Sequence, residues 1–520
     1  MANSTGSPGA TGAAPAGTPR LSGRLGVGSI VFMVVAAAAP LTVVGGTVPL
    51  GITLGNGAGF PAMYAVGAVV LLFFAVGFTA MTRYVPDAGA FYTYIGAGLG
   101  RLNGLGASFL ALLTYQAIQV AVYGYLGNEL GVVVADLGGP QVPWWVWAAA
   151  SAALVGALGY RHIDLSSRVL GVLLVAEVGI VLVVDAAVVL AGGSQEGLST
   201  AALTPSGIAA GAPGIGLMLA LAGFIGFECT AVFRDESRDP DRTIPRATYA
   251  SLALIGLFYT VSAWAVVSAW GDGGAVAQAG ENPVGMVVQT AEDYAGGVVA
   301  DVVQVLLLTS LFACVLSFHN VLNRYVFAMA NTGVLPRAWG ASHPRHRSPH
   351  VASLLQTGSS LLLLAVFALT GLDPVLEVFT WMSGIATLGF VLLMLVTCVA
   401  VLVFFRRRRV DTRVWNTVVA PVIGTAGLAV ATWLTASNFG LLVGGWGVGT
   451  AFLVLLAASY AVGPVVGLLR PSADPLLTGS HQAATVPHQA GGPAHPAADD
   501  HPTRNPTRTP TPATSPEPRA

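Results

Sequence analysis

The chain contains no lysine; all 23 of its basic residues are arginine. Charge is scarce altogether, at 9% of 520 residues, where soluble domains carry roughly 25%. Only three cysteines occur, Cys229, Cys314 and Cys398, each alone in an apolar stretch. Without CxxC or Cys/His spacing they support neither a disulfide framework nor a zinc site. The net charge of −1 singles out no class of partner, and no nucleic-acid partner is expected. Residues 1–20 lack the apolar core of a cleavable signal peptide, so the first apolar segment is expected to act as the insertion signal.

What is abundant is apolar: 54% of residues, with a mean hydropathy of +0.72. These residues fall in blocks of about 20 separated by polar breaks, the length a helix needs to cross a bilayer. Continuous rather than alternating blocks exclude an outer-membrane barrel. An all-α membrane protein of about 12 spans is predicted, near residues 26–48, 60–82, 102–126, 143–160, 166–191, 212–233, 247–270, 297–322, 351–370, 377–405, 415–436 and 441–468. Residues 1–25 and 471–520 are expected to be disordered. The tail histidines His481, His488, His495 and His501 are irregularly spaced and read as composition, not as a metal site.

Every arginine falls before span 1, after span 12, in a loop that follows an even-numbered span or, for Arg168, in the first residues of span 5 next to such a loop. Arg83 and Arg101 follow span 2, Arg234 to Arg246 follow span 6, and Arg406 to Arg413 follow span 10. The opposite loops carry acids instead, including Glu196, Asp272 and Glu281. Positive residues stay inside. Both termini are therefore expected on the cytoplasmic side of the cell membrane.

Two carboxylates stand out within apolar blocks, Glu177 in span 5 and Glu228 in span 6. A charge at the middle of a span costs about 2.5–3.5 kcal/mol on insertion scales, so each is a candidate functional group or a hydrogen-bonded brace. Asp185 is nearer the outer interface. Gly223 and Gly226 weaken the helix beside Glu228. Span 1 has a counterpart in VVAAAAPLTVVGGTVPL (34–50), where Pro40 removes a backbone donor and Gly45–Gly46 loosens the next turn. Unpaired backbone at membrane depth is tolerated where protein or a water-filled cavity receives it. Breaks five spans apart are what two inverted five-span repeats would place in register, and such a pair points to a transporter's binding site. Helix halves meeting there present amides to a carboxylate and carbonyls to a cation. On span 3, Tyr115, Gln119 and Tyr123 recur every four residues and line a cavity or bond across helices. Thr309 and Ser310 are further oxygen donors, and Trp381 caps a pathway or anchors at the interface.

The stretch GFIGFECTAVFRDESRDPDRTIPRA (223–247) resembles the corresponding segment of amino acid–polyamine–organocation transporters. VPDAGAFYTYIGAGLG (85–100) and NRYVFAMANTGVLPRAW (323–339) resemble two further segments of that family, with Asn331 and Thr332 departing from its usual Arg-Asp type pair. The resemblance covers about residues 22–470. It implies a LeuT-like fold of two five-span repeats, about 26–191 and 212–405, plus two extra helices at 415–468. It also implies alternating access with substrate at Ala38, Ala39, Pro40, Leu41 and Thr42 of span 1 and at Gly223, Phe224 and Gly226 of span 6. Tyr115 and Gln119 join the substrate candidates.

Some family members use a lysine in span 5 as a fixed cation or proton carrier. Here no lysine exists, which leaves Glu177, and after it Glu228, as proton-coupling candidates. Ala222 and Gly223 stand where some amine exchangers have a tryptophan, which disfavours exchange of large cations. The expected function is proton-coupled import of an amino acid or related amine, with no cofactor and no metal. The alternatives are an exchanger without net proton flux, a substrate sensor, or a membrane enzyme. The last is disfavoured because no span pairs the groups of a hydrolytic or metal centre at workable spacing.

Overall fold

The computed structural model describes residues 25–85, 90–161, 167–344 and 348–470. The expected disordered ends, with the four tail histidines, lie outside the described residues apart from Leu25. So do His162 and residues 86–89 and 345–347 of the loops.

Among the described residues the chain is helical, with isolated bridges and no strand. Eleven spans are long and apolar enough to cross a bilayer. They are span 1 (Val27–Gly59), span 2 (Pro61–Met81), span 3 (Arg101–Asp136), span 5 (Ser167–Ala191), span 6 (Pro213–Ala231) and span 7 (Pro240–Trp270), then span 8 (Gly297–Asn331), span 9 (His350–Thr370), span 10 (Pro374–Arg408), span 11 (Trp415–Leu442) and span 12 (Trp446–Leu469). Span 4, Trp144–Tyr160, is a shorter apolar helix of 17 residues, the one whose sequence block is short. Span 3 runs ten residues past its apolar block because a helix continues into the interface once its polar residues can reach water.

The ends follow local chemistry. Pro61, Pro213, Pro240 and Pro374 sit in first turns, where a missing N–H costs nothing. Asp373 caps span 10, its Oδ1 accepting the Val375 and Leu376 amides at 2.9 and 2.6 Å.

Burial grades from the middle outward. The most apolar stretch of span 6 is 89% buried, whereas that of span 12 is 17% buried. Span 6 is therefore enclosed by its neighbours, and the last helix is peripheral. The short helix Ala90–Leu99 lies so close to span 10 that a Cβ on Gly98 would stand 2.2 Å from the Ala400 carbonyl oxygen.

The arginine-bearing loops meet one another. Arg234, after span 6, bonds Asp241 at 3.0 Å, and Arg83, after span 2, donates to the Asp241 carbonyl. Tyr84 donates to the Val410 carbonyl beyond span 10, and Arg470 reaches Gly333 beyond span 8. Leu25, ahead of span 1, pairs in parallel with Ser237, bonding Glu236 and Arg238 through its backbone at 3.0 Å each. At the other end Ser199 donates to Asp272. One end of the bundle is thus arginine-rich and tied by short links, the other acidic.

Candidate functional site

Span 1 breaks where the proline requires it. The helix Val27–Ala37 stops, Ala39 turns into the left-handed region (φ 46°, ψ 70°), and helix resumes at Pro40. A left-handed alanine costs roughly 1–2 kcal/mol, strain that the surrounding packing must offset. The Ala38 carbonyl, cut off from the helix ladder, accepts the Tyr259 hydroxyl at 3.1 Å. A wide π-helical turn, Val43–Thr47, then carries Gly45 and Gly46. A Cβ on Gly46 would lie 3.0 Å from both the Phe379 and Tyr125 rings, so the turn depends on the bare backbone.

Span 6 breaks at the predicted glycines. The helix Pro213–Ala222 ends, the amides of Gly223, Phe224 and Ile225 each bond three residues back, and Gly226 takes φ 111°. A 3₁₀ helix, Phe227–Glu236, follows. Glu228 holds this corner: one carboxylate oxygen accepts the Gly226 amide at 2.8 Å and the other the Tyr115 hydroxyl at 2.5 Å.

Glu177 plays the matching part for span 1. Its carboxylate accepts the Leu41 amide, an orphan donor in the first turn after the break. It also accepts the Ser310 hydroxyl at 2.8 Å, and Ser310 in turn accepts Thr42 at 3.1 Å. Each break thus has a buried carboxylate on its backbone and neutral donors around it. Asp185 is bonded by Ser262 at 2.7 Å, and Glu129, toward the C-terminal end of span 3, by Gln304 at 2.8 Å. Among the described residues, the ion pairs all lie at the bundle ends.

Beside the breaks is a small cavity of about 40 Å³. Ala37, Ala38, Ala39, Thr42, Val43 and Thr47 of span 1 form one wall, and Ala222 and Ile225 of span 6 another. The rest comes from Ile118 and Val122 of span 3, Cys314 and Phe318 of span 8, and Phe379 and Ser383 of span 10. No charged side chain lines it.

Of the residues singled out from the sequence, Ala38, Ala39 and Thr42 face the cavity directly. Pro40, Leu41, Gly223, Phe224 and Gly226 shape the two breaks behind it. Phe224 is fully buried against Tyr64 and Tyr259. Tyr115 is bound to Glu228. Gln119 turns to a polar cluster with Tyr123, Val315 and Gln356 that joins spans 3, 8 and 9. Thr309 bonds its own helix at Leu306, and Trp381 packs on Phe452. Ile118, Val122, Phe318, Phe379 and Ser383 were not singled out, and the first four carry no polar signal that could have done so. Ser383 is a lone hydroxyl two residues from Trp381, a weak signal by itself.

Comparison with known proteins places this chain among permeases. A family described as amino acid permease matches residues 25–463. The low-affinity putrescine importer PlaP of Escherichia coli K12 is 24% identical over 315 residues, which are 58% of this chain and 66% of that protein. The chain thus spans just under two thirds of that relative's length. The branched-chain amino acid permease BcaP of Bacillus subtilis is 26% identical over 424 residues, covering 78% of this chain and 85% of the relative. A probable GABA permease of Pseudomonas aeruginosa is 25% identical over 348 residues, 62% of this chain and 69% of the relative.

Proposed function

The chain belongs to the amino acid permease family, and from that premise we propose that it imports an amino acid or small amine across the cell membrane by alternating access, driven by protons. The observation that carries this reading is the hydrogen-bonded line from the cavity wall at Thr42 through Ser310 to Glu177. Substrate meets the two breaks, where Ala38–Ala39 and Ala222–Ile225 bring the main chain to the cavity wall. A proton on Glu177 weakens its hold on Ser310 and on the Leu41 amide. Loading the carboxylate and reshaping the span 1 break are then one event, which is what coupling requires.

The arginine-rich end faces the cytoplasm in this reading. The LeuT-like repeat supplies the motion, spans 1–5 and 6–10 forming its halves and spans 11 and 12 standing outside them. The relatives' substrates, putrescine, branched-chain amino acids and GABA, bound the chemical range to be searched.

One observation favours a second reading. Both donors on Glu177 are structural, one of them the amide of a broken helix, as a permanent brace would have. A fixed brace leaves an exchanger with no net proton flux. Uptake of radiolabelled amino acids and amines into proteoliposomes, with pH and sodium gradients imposed separately, tests the proposal. Accumulation that follows the pH gradient supports it. Uptake that responds only to preloaded internal substrate selects the exchanger, and no flux with any compound ends both.

A further inference from the structure

Three hydroxyls stand in the cavity wall, and two are already committed. Thr42 donates to Ser310 at 3.1 Å. Thr47 donates to the Val43 carbonyl at 2.9 Å and lies 2.9 Å from the Tyr64 hydroxyl. The third, Ser383, is 1% exposed and its Oγ has no hydrogen-bond partner. A buried hydroxyl without a partner is unfavourable, and a serine costs nothing to replace with alanine where packing alone is needed. Ser383 stands one helical turn beyond Phe379 on the same face of span 10, across the cavity from the two breaks.

Charge and size narrow the ligand. The wall holds no carboxylate, and Glu177 and Glu228 spend their oxygens on Ser310, Leu41, Tyr115 and Gly226. A second ammonium, as in a diamine, would be buried without a counter-charge. The cavity of about 40 Å³ corresponds to about three waters at roughly 10–15 Å³ each, or about 90 Å³ of liquid. That suits a small amino acid, whose bonded atoms pack closer than separate waters.

We infer that the cavity selects small neutral α-amino acids with a hydroxylated side chain, serine and threonine, and that Ser383 recognises that hydroxyl. The inference rests on reading the cavity as the transport site. The substrate's ammonium and carboxylate lie toward the two breaks. Its hydroxyl supplies the missing partner of Ser383, while Ile118, Val122 and Phe318 surround its carbons.

The test is uptake of radiolabelled serine against 2-aminobutyrate, and of threonine against valine, in proteoliposomes. Each pair exchanges hydroxyl for methyl at nearly constant shape. The native protein prefers the hydroxylated member about tenfold or more, as an unmet buried hydroxyl predicts. Ser383→Ala and the bulk-retaining Ser383→Cys bring each pair within about threefold, the loss falling on the hydroxylated member. Equal uptake within each pair by the native protein overturns the inference. So does a preference that survives both variants, or a loss of all amino acids alike, which would place Ser383 at the ammonium or carboxylate. Uptake of putrescine or GABA with neutral amino acids refused sinks this inference and leaves the transport reading standing. No uptake of any compound sinks both.

Discussion

Replacing Glu177 with glutamine tests proton coupling at the group that would carry it. The native carboxylate accepts two donors, the Ser310 hydroxyl at 2.8 Å and the Leu41 amide. Glutamine keeps one acceptor oxygen and turns an NH₂ toward the other donor, so one charge-assisted bond, about 1.5–3 kcal/mol, is lost. The variant is therefore weakened at the span 1 break but keeps its fold, since the buried apolar residues of span 1, Ile30, Val43 and Val44 among them, are unchanged. Transport changes more sharply. One pH unit across the membrane is worth about 1.4 kcal/mol per proton, so a one-proton importer accumulates substrate about tenfold per unit. Glu177→Gln holds no exchangeable proton there, and its accumulation ratio falls to about one, while counterflow between equal pools stays within about threefold of native. Asp185→Asn, two turns along the same helix and bonded only to Ser262, is the control and keeps the gradient response. The assay is internal-to-external substrate ratio at steady state in proteoliposomes with a valinomycin-clamped potential. A tenfold ratio retained by Glu177→Gln would refute the reasoning and leave Glu177 as a brace.

Three further outcomes follow from the geometry. Tyr115→Phe deprives the buried Glu228 of its 2.5 Å donor; a lowered thermal midpoint, by an amount equivalent to about 1.5–3 kcal/mol, and a loss of uptake are expected, and an unchanged melting curve would show the bond to be incidental. At Ala39, left-handed at φ 46°, valine and glycine should act in opposite directions: Ala39→Val destabilises by more than about 1 kcal/mol, whereas Ala39→Gly relieves strain, as thermal scanning of both will register. At the arginine-rich end, the Arg413 guanidinium beside Asp411 holds its carboxyl below the usual carboxylate range. A depressed folded-state value contributes stability above the unfolded value of about 3.9 and loses it as pH falls through the folded one. Asp411→Asn should thus lower the midpoint at pH 7, and the gap should close below about pH 4; a gap independent of pH would rule out the ion pair as its cause.

The sequence made the breaks legible and left the cavity wall hidden, and the reason is the solvent. Pro40 and Gly223–Gly226 violate helix propensity inside apolar blocks, and a violation is visible whatever the surroundings. Glu177 and Glu228 are visible for the same reason. A helix in lipid, however, is apolar on every face, so Ile118 and Val122 on the cavity side look like any other residue of span 3. Only packing distinguishes them. The polar residues of that span, Tyr115 and Gln119, were the natural candidates because polarity in hydrocarbon is costly. That same cost drives them to partners within the protein: Tyr115 to Glu228, Gln119 to Gln356. In an apolar bundle a polar side chain therefore marks a brace first. The candidate binding contact is a polar atom that both lines the cavity and is left unpaired by the protein itself, and that property belongs to no residue type. Ser383 meets it, while Thr42 and Thr47, in the same wall and of the same chemistry, do not. In the proposed scheme substrate recognition by side chain and control of the broken backbone thus fall to different residues, so span 10 can alter the first without disturbing the carboxylates that hold spans 1 and 6.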